Sequence, residues 1–222
     1  MKYIQKNEEP QQIVDWKRKF KKTHGRKPQY YDINKDQEHK RILKESLISE
    51  QGSICCYCCK RIDLSDSHIE HFRPKGKQEY EDLSLEYENL LASCQGYHHK
   101  EENCGHSKAN EFEENLLVSP LEEGCEANFK FSSLGKIMPV DGNDRAQYTI
   151  KLLNLDTPAL NSARYAAMWE SGAMEEISKE TCLQLLDKFR SKDTHGQYAV
   201  FCDAIVYQLQ KRLEYLEKSE KV

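Results

Sequence analysis

Residues 54–60 read ICCYCCK and contain two interleaved cysteine pairs, Cys55 with Cys58 and Cys56 with Cys59. Thiolates separated by two residues on one tight turn can reach the same zinc ion. Only one of the two pairs can easily share an ion, because residues that are close neighbours in a turn point in different directions. The stretch therefore predicts one half of a zinc site, and the other half must come from elsewhere in the chain.

Cys94 and Cys104 are the candidates for that second half. The nine residues between them (QGYHHKEEN) exceed the usual two, so the predicted knuckle is expanded, and His98 or His99 can replace one cysteine. Four cysteines around one ion make a closed site, which is structural rather than catalytic. The alternative is a set of free buried thiols. The total of nine cysteines is odd, and in a reducing compartment clustered cysteines favour metal ligation over disulfides.

Length and composition exclude several classes of protein. The chain has 222 residues, with 33 Lys and Arg against 37 Asp and Glu, for a formal net charge of −4. No apolar run approaches the ~18 residues of a membrane span, and the N-terminal stretch MKYIQKNEEPQQ lacks an apolar signal region, so we expect a cytoplasmic protein. Because the chain is not basic overall, any nucleic-acid binding needs a local basic patch or a partner's surface.

Between the two halves of the zinc site, residues 67–75 read SHIEHFRPK. Glu70 and His71 place a carboxylate beside an imidazole, and Arg73 and Lys75 follow closely. A carboxylate can hold a Mg²⁺-like ion, a neutral imidazole can take a proton from water, and cations can contact phosphates. Asn89, in YENLLASC, can hold a loop in place without adding charge. This chemistry is what phosphodiester cleavage requires.

The motifs ICCYC, IEHFRPK, YENLLASC and CGHSKAN, in that order, resemble the HNH (ββα-metal) nucleases. More narrowly, they are similar to the PtuB-like HNH nuclease subunit of the Septu anti-phage system, which is also found attached to some retrons. The later stretches LLVSPLEE, FSSLGKIMP and TIKLLNLDTPALNSAR extend this resemblance over most of residues 50–170.

The resemblance implies a role for each motif residue. His71 becomes the general base that activates water, Asn89 the residue that positions the His71 loop, and Glu70 and His106 the ligands of the catalytic divalent ion. The resemblance also implies structural zinc ligands and phosphate contacts, which are Cys55, Cys58, Cys94 and Cys104 for zinc, and Arg73, Lys75 and Lys108 for phosphate.

Two departures from the HNH pattern concern the catalytic ion. Glu70 stands where Asp is common in the wider class, although Glu suits the narrower family. His106 lies two positions after Cys104 rather than directly after it. Lys108 or a water molecule is therefore an alternative to His106.

The resemblance also implies partners. In that family the nuclease works with an ABC/SMC-like (PtuA-like) ATPase, whose nucleotide state restrains or releases cleavage. The expected substrate is nucleic acid, either DNA or tRNA, and retron-associated members imply msDNA and a reverse transcriptase as further partners. The expected cofactors are a structural Zn²⁺ and a catalytic Mg²⁺ or similar ion. No membrane partner is expected.

Hydrophobic periodicity predicts helices on both sides of this core. The apolar positions Ile13, Trp16 and Phe20 indicate a first helix, and a second is predicted from about Asp36 to Gly52. Short strands are predicted over 128–131 and 136–140, with a turn near Gly135. Helices are then predicted over 146–153, from 157 to 169, over 179–189 and over 198–218.

The predicted fold class is α+β, a zinc-braced ββα-metal core with helical N-terminal and C-terminal extensions. The expected segments are 1–52 (helical), 53–115 (the nuclease core) and 116–222 (short strands, then helices), packed as one compact unit.

Two other functions fit part of the pattern. A zinc-braced module that binds nucleic acid or protein without catalysis would need Glu70 and His71 only as a salt-bridged surface pair. A redox protein that uses CCYCC as a dithiol would need a thiol of low pKa at a helix N-terminus.

Overall fold

A computed structural model of the chain describes residues 1–96 and 102–219. The chain is of mixed α+β composition, and its regular elements follow in chain order: α1 (Gln11–His24), α2 (Tyr30–Asn34), α3 (Gln37–Glu50), β1 (Ser67–His71), β2 (Leu90–Cys94), α4 (Cys104–Lys108), β3 (Phe129–Phe131), β4 (Ile137–Pro139), α5 (Asp144–Leu152), α6 (Pro158–Glu170), α7 (Lys179–Arg190) and α8 (Cys202–Ser219). Short 3₁₀ turns cover Gln78–Leu83, Tyr87–Asn89 and Cys125–Asn128.

The first and third helices confirm the predicted N-terminal pair. α1 buries Ile13 and is capped at its C-terminus by Gly25, whose φ of 71° is rarely adopted by residues with a side chain. Asp36 caps α3 by accepting from the His39 N–H at 3.2 Å, and it also accepts from Trp16 Nε1 of α1 at 3.0 Å. One carboxylate thus begins α3 and joins it to α1. The short α2 between them was not predicted.

β1 and β2 form an antiparallel pair, with Ser67 opposite Cys94 and His71 opposite Leu90. All five residues of β2 are buried, and α3 packs against the pair. This register fixes both ends of the hairpin. One end carries Cys94, a predicted zinc ligand, and the other end carries His71, the predicted base.

The C-terminal half confirms the predicted strands and helices. β3 pairs antiparallel with β4, and the turn between them needs Gly135, where a Cβ atom would lie 2.1 Å from the Asn161 carbonyl oxygen. Thr157 caps α6 by accepting from the Leu160 N–H at 3.2 Å, with Pro158 in the first turn. α7 packs along α8.

The last helix begins later than predicted. α8 starts at Cys202 rather than Tyr198, because the preceding residues bond to the cysteine-rich segment instead of to a helical turn. The Tyr198 N–H donates to the Gly52 carbonyl at 3.0 Å, and the Phe201 N–H donates to the Cys59 carbonyl at 2.9 Å. The start of α8 is thereby attached to the turn that carries the zinc-site cysteines.

The main apolar core contains residues from all three predicted segments, for example Leu43 of α3, Leu90 of β2 and Leu209 of α8. The boundaries 1–52, 53–115 and 116–222 stay predictions. Within residues 1–96 and 102–219, none of the helices has the length and apolar character needed to cross a membrane.

Candidate metal and catalytic site

Four cysteine sulfurs converge at the end of the hairpin. The Sγ atoms of Cys55, Cys58, Cys94 and Cys104 all lie within 4.8 Å of one another, and all four residues are buried. The first two sit on a tight turn closed by the Cys55 N–H to Lys60 carbonyl hydrogen bond at 2.8 Å. Local backbone structure and strand register therefore bring together the four cysteines that the sequence predicted.

The dimensions of this cluster fit zinc. Sulfurs bound at about 2.3 Å around a tetrahedral ion are about 3.8 Å apart, and the Sγ atoms of Cys58 and Cys94 are 3.9 Å apart. The Cys94 N–H donates to Cys55 Sγ at 3.3 Å. Burial alone would raise the pKa of the Cys55 thiol, but hydrogen bonds from neighbouring thiols, Cys104 first, hold that pKa well below its usual range. The group can therefore hold a zinc ion.

The other cysteine pair lies outside the cluster. Cys59 packs instead with Ile54 and Cys202 in a small separate apolar group, and Cys56 is buried in the main core. Of the two interleaved pairs, Cys55 and Cys58 therefore belong to the four-cysteine cluster, and Cys56 and Cys59 do not. His98 and His99 lie outside the described residues.

Glu70 is buried beneath the hairpin surface, with only 6% of its area exposed. Its Oε1 atom accepts from the Tyr57 hydroxyl at 3.1 Å and from Lys108 Nζ at 3.0 Å. Burial raises the pKa of this carboxyl, but the His68 imidazole and the Lys108 ammonium outweigh that effect, so the pKa lies below its ordinary value. Glu70 is therefore an interior carboxylate with the negative charge that a metal ligand requires.

His71 is also buried, at 4% exposure, and its two ring nitrogens have different surroundings. Nε2 lies 3.0 Å from the Ser84 carbonyl oxygen, which can only accept, so Nε2 carries the hydrogen and Nδ1 holds a lone pair. The Tyr30 ring of α2 meets the imidazole edge-on at 4.5 Å. Burial, with help from the Lys75 cation, lowers the pKa of His71 to about 4. The imidazole is thus neutral and fixed in one tautomer near pH 7.

In a module that only binds, Glu70 and His71 were expected to form a salt bridge on the surface. The observed positions of the two side chains exclude such a surface pair. Both side chains are interior, and their polar atoms bond to different partners. The arrangement is typical of two groups with separate roles.

Asn89 closes the loop that connects β1 to β2. Its Oδ1 accepts from the Arg73 N–H at 2.8 Å, and its Nδ2 donates to the carbonyls of Arg73 and Leu83 at 3.0 and 3.1 Å. Leu83 precedes Ser84, whose carbonyl holds His71. One buried amide therefore joins both ends of the loop around the imidazole, and its role in positioning His71 stays a prediction.

If His71 is the general base that the motif predicts, replacing Asn89 by alanine should reduce nucleic-acid cleavage about 10- to 100-fold, the usual cost of losing a group that orients a catalytic residue. It also leaves buried backbone groups unpaired, which costs about 1–3 kcal/mol of unfolding free energy. Cleavage rates and melting curves measure the two effects. Asn161→Ala in α6, whose half-buried amide donates to Asp156, is the control: we expect it to lose stability and keep activity. Equal rates for wild type and Asn89→Ala would refute the positioning role.

Lys108 requires a correction. The resemblance implied that this residue contacts phosphate, but its side chain is only 1% exposed. Its ammonium group donates to the His71 carbonyl at 2.8 Å and pairs with Glu70 at 3.0 Å. A buried ammonium with these partners is out of reach of a substrate phosphate. Lys108 therefore positions the Glu70–His71 backbone and neutralises the carboxylate.

The substitution Lys108→Met should lower the free energy of unfolding by about 3–5 kcal/mol, because Glu70 would keep a buried charge without a partner. Adding Glu70→Gln removes that charge, so the double variant should recover part of the loss. Thermal unfolding of the zinc-loaded wild type, both single variants and the double variant measures the coupling. Strictly additive losses would show that no buried ion pair exists.

The other two predicted phosphate contacts lie nearer to solvent. Arg73 is partly exposed and pairs with Glu114 at 2.6 Å, while Lys75 is exposed and lies 5.0 Å from the centre of the Tyr30 ring that covers His71. Their positions near the loop are compatible with phosphate contact, which stays a prediction.

His106 lies at the exposed edge of the site. Its Nε2 bonds to Gln95 Oε1 at 3.1 Å, and its ring packs against the ring of His68 at 4.7 Å. Among the described residues, His68 rather than His106 contacts Glu70, at 3.5 Å between Nε2 and Oε2. His68 is not among the site residues predicted from the sequence. The available signal was strand periodicity, because residues two apart in β1 share a face.

Comparisons with known proteins bear on the family. No family model matches the chain. It is 28% identical over 156 residues to a Vibrio cholerae serotype O1 biovar El Tor protein named "Retron Vc95 putative HNH endonuclease", a match that covers 68% of this chain and 75% of that protein. It is 27% identical over 157 residues to the Septu protein PtuB of Bacillus mycoides (strain KBAB4), covering 60% of this chain and 52% of PtuB. The chain thus spans about half the length of this second relative. Together with the ordered motifs, these homologues support an HNH, PtuB-like defence nuclease.

Proposed function

We propose that this chain is a metal-dependent HNH endonuclease that hydrolyses phosphodiester bonds of nucleic acid as the effector of an anti-phage defence complex. The observation that carries the proposal is the state of His71. It is a buried imidazole with one nitrogen bonded to the Ser84 carbonyl and a lone pair on the other, and it follows the interior carboxylate Glu70 in the sequence.

His71 acts as the general base in this proposal. Its Nδ1 accepts the proton of the attacking water, and the Nε2–H bond to Ser84 keeps the ring oriented while the charge on the ring changes. Asn89 holds the loop that carries that carbonyl. Arg73 and Lys75 bind the phosphates on either side of the scissile bond, where their positive charges neutralise the negative charge that develops on the phosphoryl oxygens.

The residues around Glu70 fit a divalent ion. A Cβ atom at Gly105 would lie 2.5 Å from Glu70 Oε2, so the absence of a side chain there leaves space beside this oxygen. Lys108 pairs with the other carboxylate oxygen, Oε1, and does not fill that space. Glu70 would hold Mg²⁺ or a similar ion there, with His106 reaching in from the edge. When bound, such an ion neutralises charge on the phosphoryl oxygens.

The cysteine cluster supplies a frame for this chemistry. In our proposal a structural zinc joins the turn 55–58 to the end of β2 and the start of α4, and β1, β2 and α4 form the ββα-metal core. The knuckle fixes where α4 begins, and α4 carries Gly105, His106 and Lys108. Zinc thereby sets the position of three residues around Glu70.

The proposed complex includes an ABC/SMC-like ATPase, because the relatives are named for Septu and retron systems. A net charge of −4 leaves the nuclease with little electrostatic attraction for nucleic acid of its own. The partner would then hold the DNA or tRNA substrate and control access to the site. In a retron-associated form, msDNA and reverse transcriptase would join the same assembly.

The direct test uses zinc-loaded protein transferred into buffer free of divalent ions, alone and with the proposed ABC/SMC-like ATPase partner co-expressed. Plasmid DNA and tRNA are incubated with and without added Mg²⁺ or Mn²⁺. We expect cleavage of at least one substrate that depends on the added ion. Withholding the ion, rather than adding a chelator, keeps the structural zinc in place. Intact substrates under every condition would favour the zinc-braced binding module.

A further inference from the structure

A second histidine lies on the same strand face as Glu70. His68 and Glu70 are two residues apart in β1, so their side chains leave the strand on the same side. The distance between His68 Nε2 and Glu70 Oε2 is 3.5 Å. That separation exceeds the usual range of an N–H···O hydrogen bond, which is about 2.7–3.2 Å.

The two atoms are spaced like neighbouring ligands of one ion. Ligands about 2.1 Å from an octahedral ion lie about 3.0 Å apart, and those of a tetrahedral ion lie about 3.4 Å apart. A small inward movement of either side chain suffices to match these values. The two oxygens of Glu70 have different neighbours. Oε1 accepts from Tyr57 and Lys108, while Oε2 lies beside His68 Nε2.

Gly105 keeps the space between these two atoms open. A Cβ atom there would lie 2.5 Å from Glu70 Oε2 and 2.6 Å from His68 Nε2, so any side chain would fill the gap. The Gly105 N–H donates to Ser93 Oγ at 3.3 Å, and the residue directly follows Cys104. The zinc cluster and β2 together fix the glycine over the gap.

The other ring nitrogen of His68 is not used elsewhere. The buried Nδ1 atom of His68 has no hydrogen-bond partner within residues 1–96 and 102–219, so no hydrogen bond through Nδ1 assigns the imidazole another role. The His106 ring lies 4.7 Å from the His68 ring on the solvent side.

We propose that His68 is a ligand of the divalent ion in the catalytic site, binding through Nε2 beside Glu70 Oε2. The inference rests on the proposed function for the identity of the site. The HNH pattern has a metal-binding histidine directly after the cysteine that corresponds to Cys104, and this chain has Gly105 at that position. In our proposal His68, on strand β1, supplies the imidazole instead.

The test measures ion binding rather than cleavage. Zinc-loaded wild type, His68→Gln and His195→Gln are titrated with Mn²⁺ by calorimetry, and the bound Mn²⁺ is examined by pulsed electron paramagnetic resonance for coupling to ¹⁴N. His195 is an exposed histidine on the 191–201 connection and serves as the control. Loss of His68 should weaken Mn²⁺ binding at least about tenfold, a change that even an outer-shell substitution can reach, and should reduce the ¹⁴N coupling.

A second variant separates ligation from folding. Gly105→Ala leaves His68 and Glu70 in the chain but fills the gap, so it should also weaken Mn²⁺ binding while the zinc content stays at the wild-type value. Wild-type Mn²⁺ affinity in His68→Gln, or no Mn²⁺ binding by the wild type, would overturn the inference. Mn²⁺ binding that needs His68, in a protein that cleaves no nucleic acid, would support the inference and refute the nuclease proposal.

Discussion

Replacing His71 by alanine should leave the zinc-loaded protein folded and reduce nucleic-acid cleavage at least about a hundredfold, the lower range of general base catalysis. The expectation follows from the ring's environment. Nε2 bonds to the Ser84 carbonyl, so Nδ1 is the nitrogen that can take a proton from water. The neighbouring carboxylate Glu70 is less suited, because its Oε1 atom already accepts from Tyr57 and Lys108.

Alanine also removes a buried ring that packs against Tyr30, so some stability will be lost. His71→Gln is the more informative variant for that reason. Its amide N–H can still donate toward the Ser84 carbonyl, but its side chain has no basic nitrogen. We expect His71→Gln to melt closer to the wild type than His71→Ala and to be equally inactive. The measurement is cleavage of whichever substrate the wild type cuts, at saturating Mg²⁺.

The matched control is His195→Gln, which changes an exposed imidazole far along the chain and should retain full activity. Activity of His71→Gln within a few-fold of the wild type would remove His71 from the catalytic role. Equal loss in His71→Gln and His195→Gln would instead point to an effect on the preparation rather than on the chemistry.

Features set by sequence neighbours were predictable. The Thr157–Pro158 pair begins α6 because the cap hydroxyl and the ring act within a single turn. The β3–β4 turn at Gly135 and the spacing of Cys55 and Cys58 are equally local. The α+β class and the order of helices followed from such signals.

Features set by contacts across the fold were not predictable in the same way. Lys108 has the sequence context of a surface cation, and its burial depends on where the hairpin places Glu70 and the His71 carbonyl. The proposed role of His68 depends on the absence of a side chain at Gly105. The five-residue α2 is too short to show periodicity, yet it carries the Tyr30 ring that covers His71.

Serine in place of Cys94 should cause the largest structural effect of any single substitution. Structural zinc contributes about 10–16 kcal/mol in small sites, and a folded domain is stable by only about 5–15 kcal/mol in total. Cys94 lies at the end of β2, where its sulfur is 3.9 Å from that of Cys58. We therefore expect Cys94→Ser to lose most of its bound zinc and to be insoluble or unfolded. Zinc analysis per chain and circular dichroism measure both outcomes.

Cys56→Ser provides the decisive comparison, because position 56 is as buried as the cluster but contributes no sulfur to it. This variant should keep one zinc per chain. Its free energy of unfolding should fall by at most about 1–3 kcal/mol, the cost of burying a hydroxyl group. The contrast distinguishes metal ligation from ordinary core packing. If both serine variants fold with the same zinc content, the four sulfurs do not form the site. If Cys56→Ser loses zinc and Cys94→Ser does not, the interleaved pair that begins at Cys56 supplies the ligands instead.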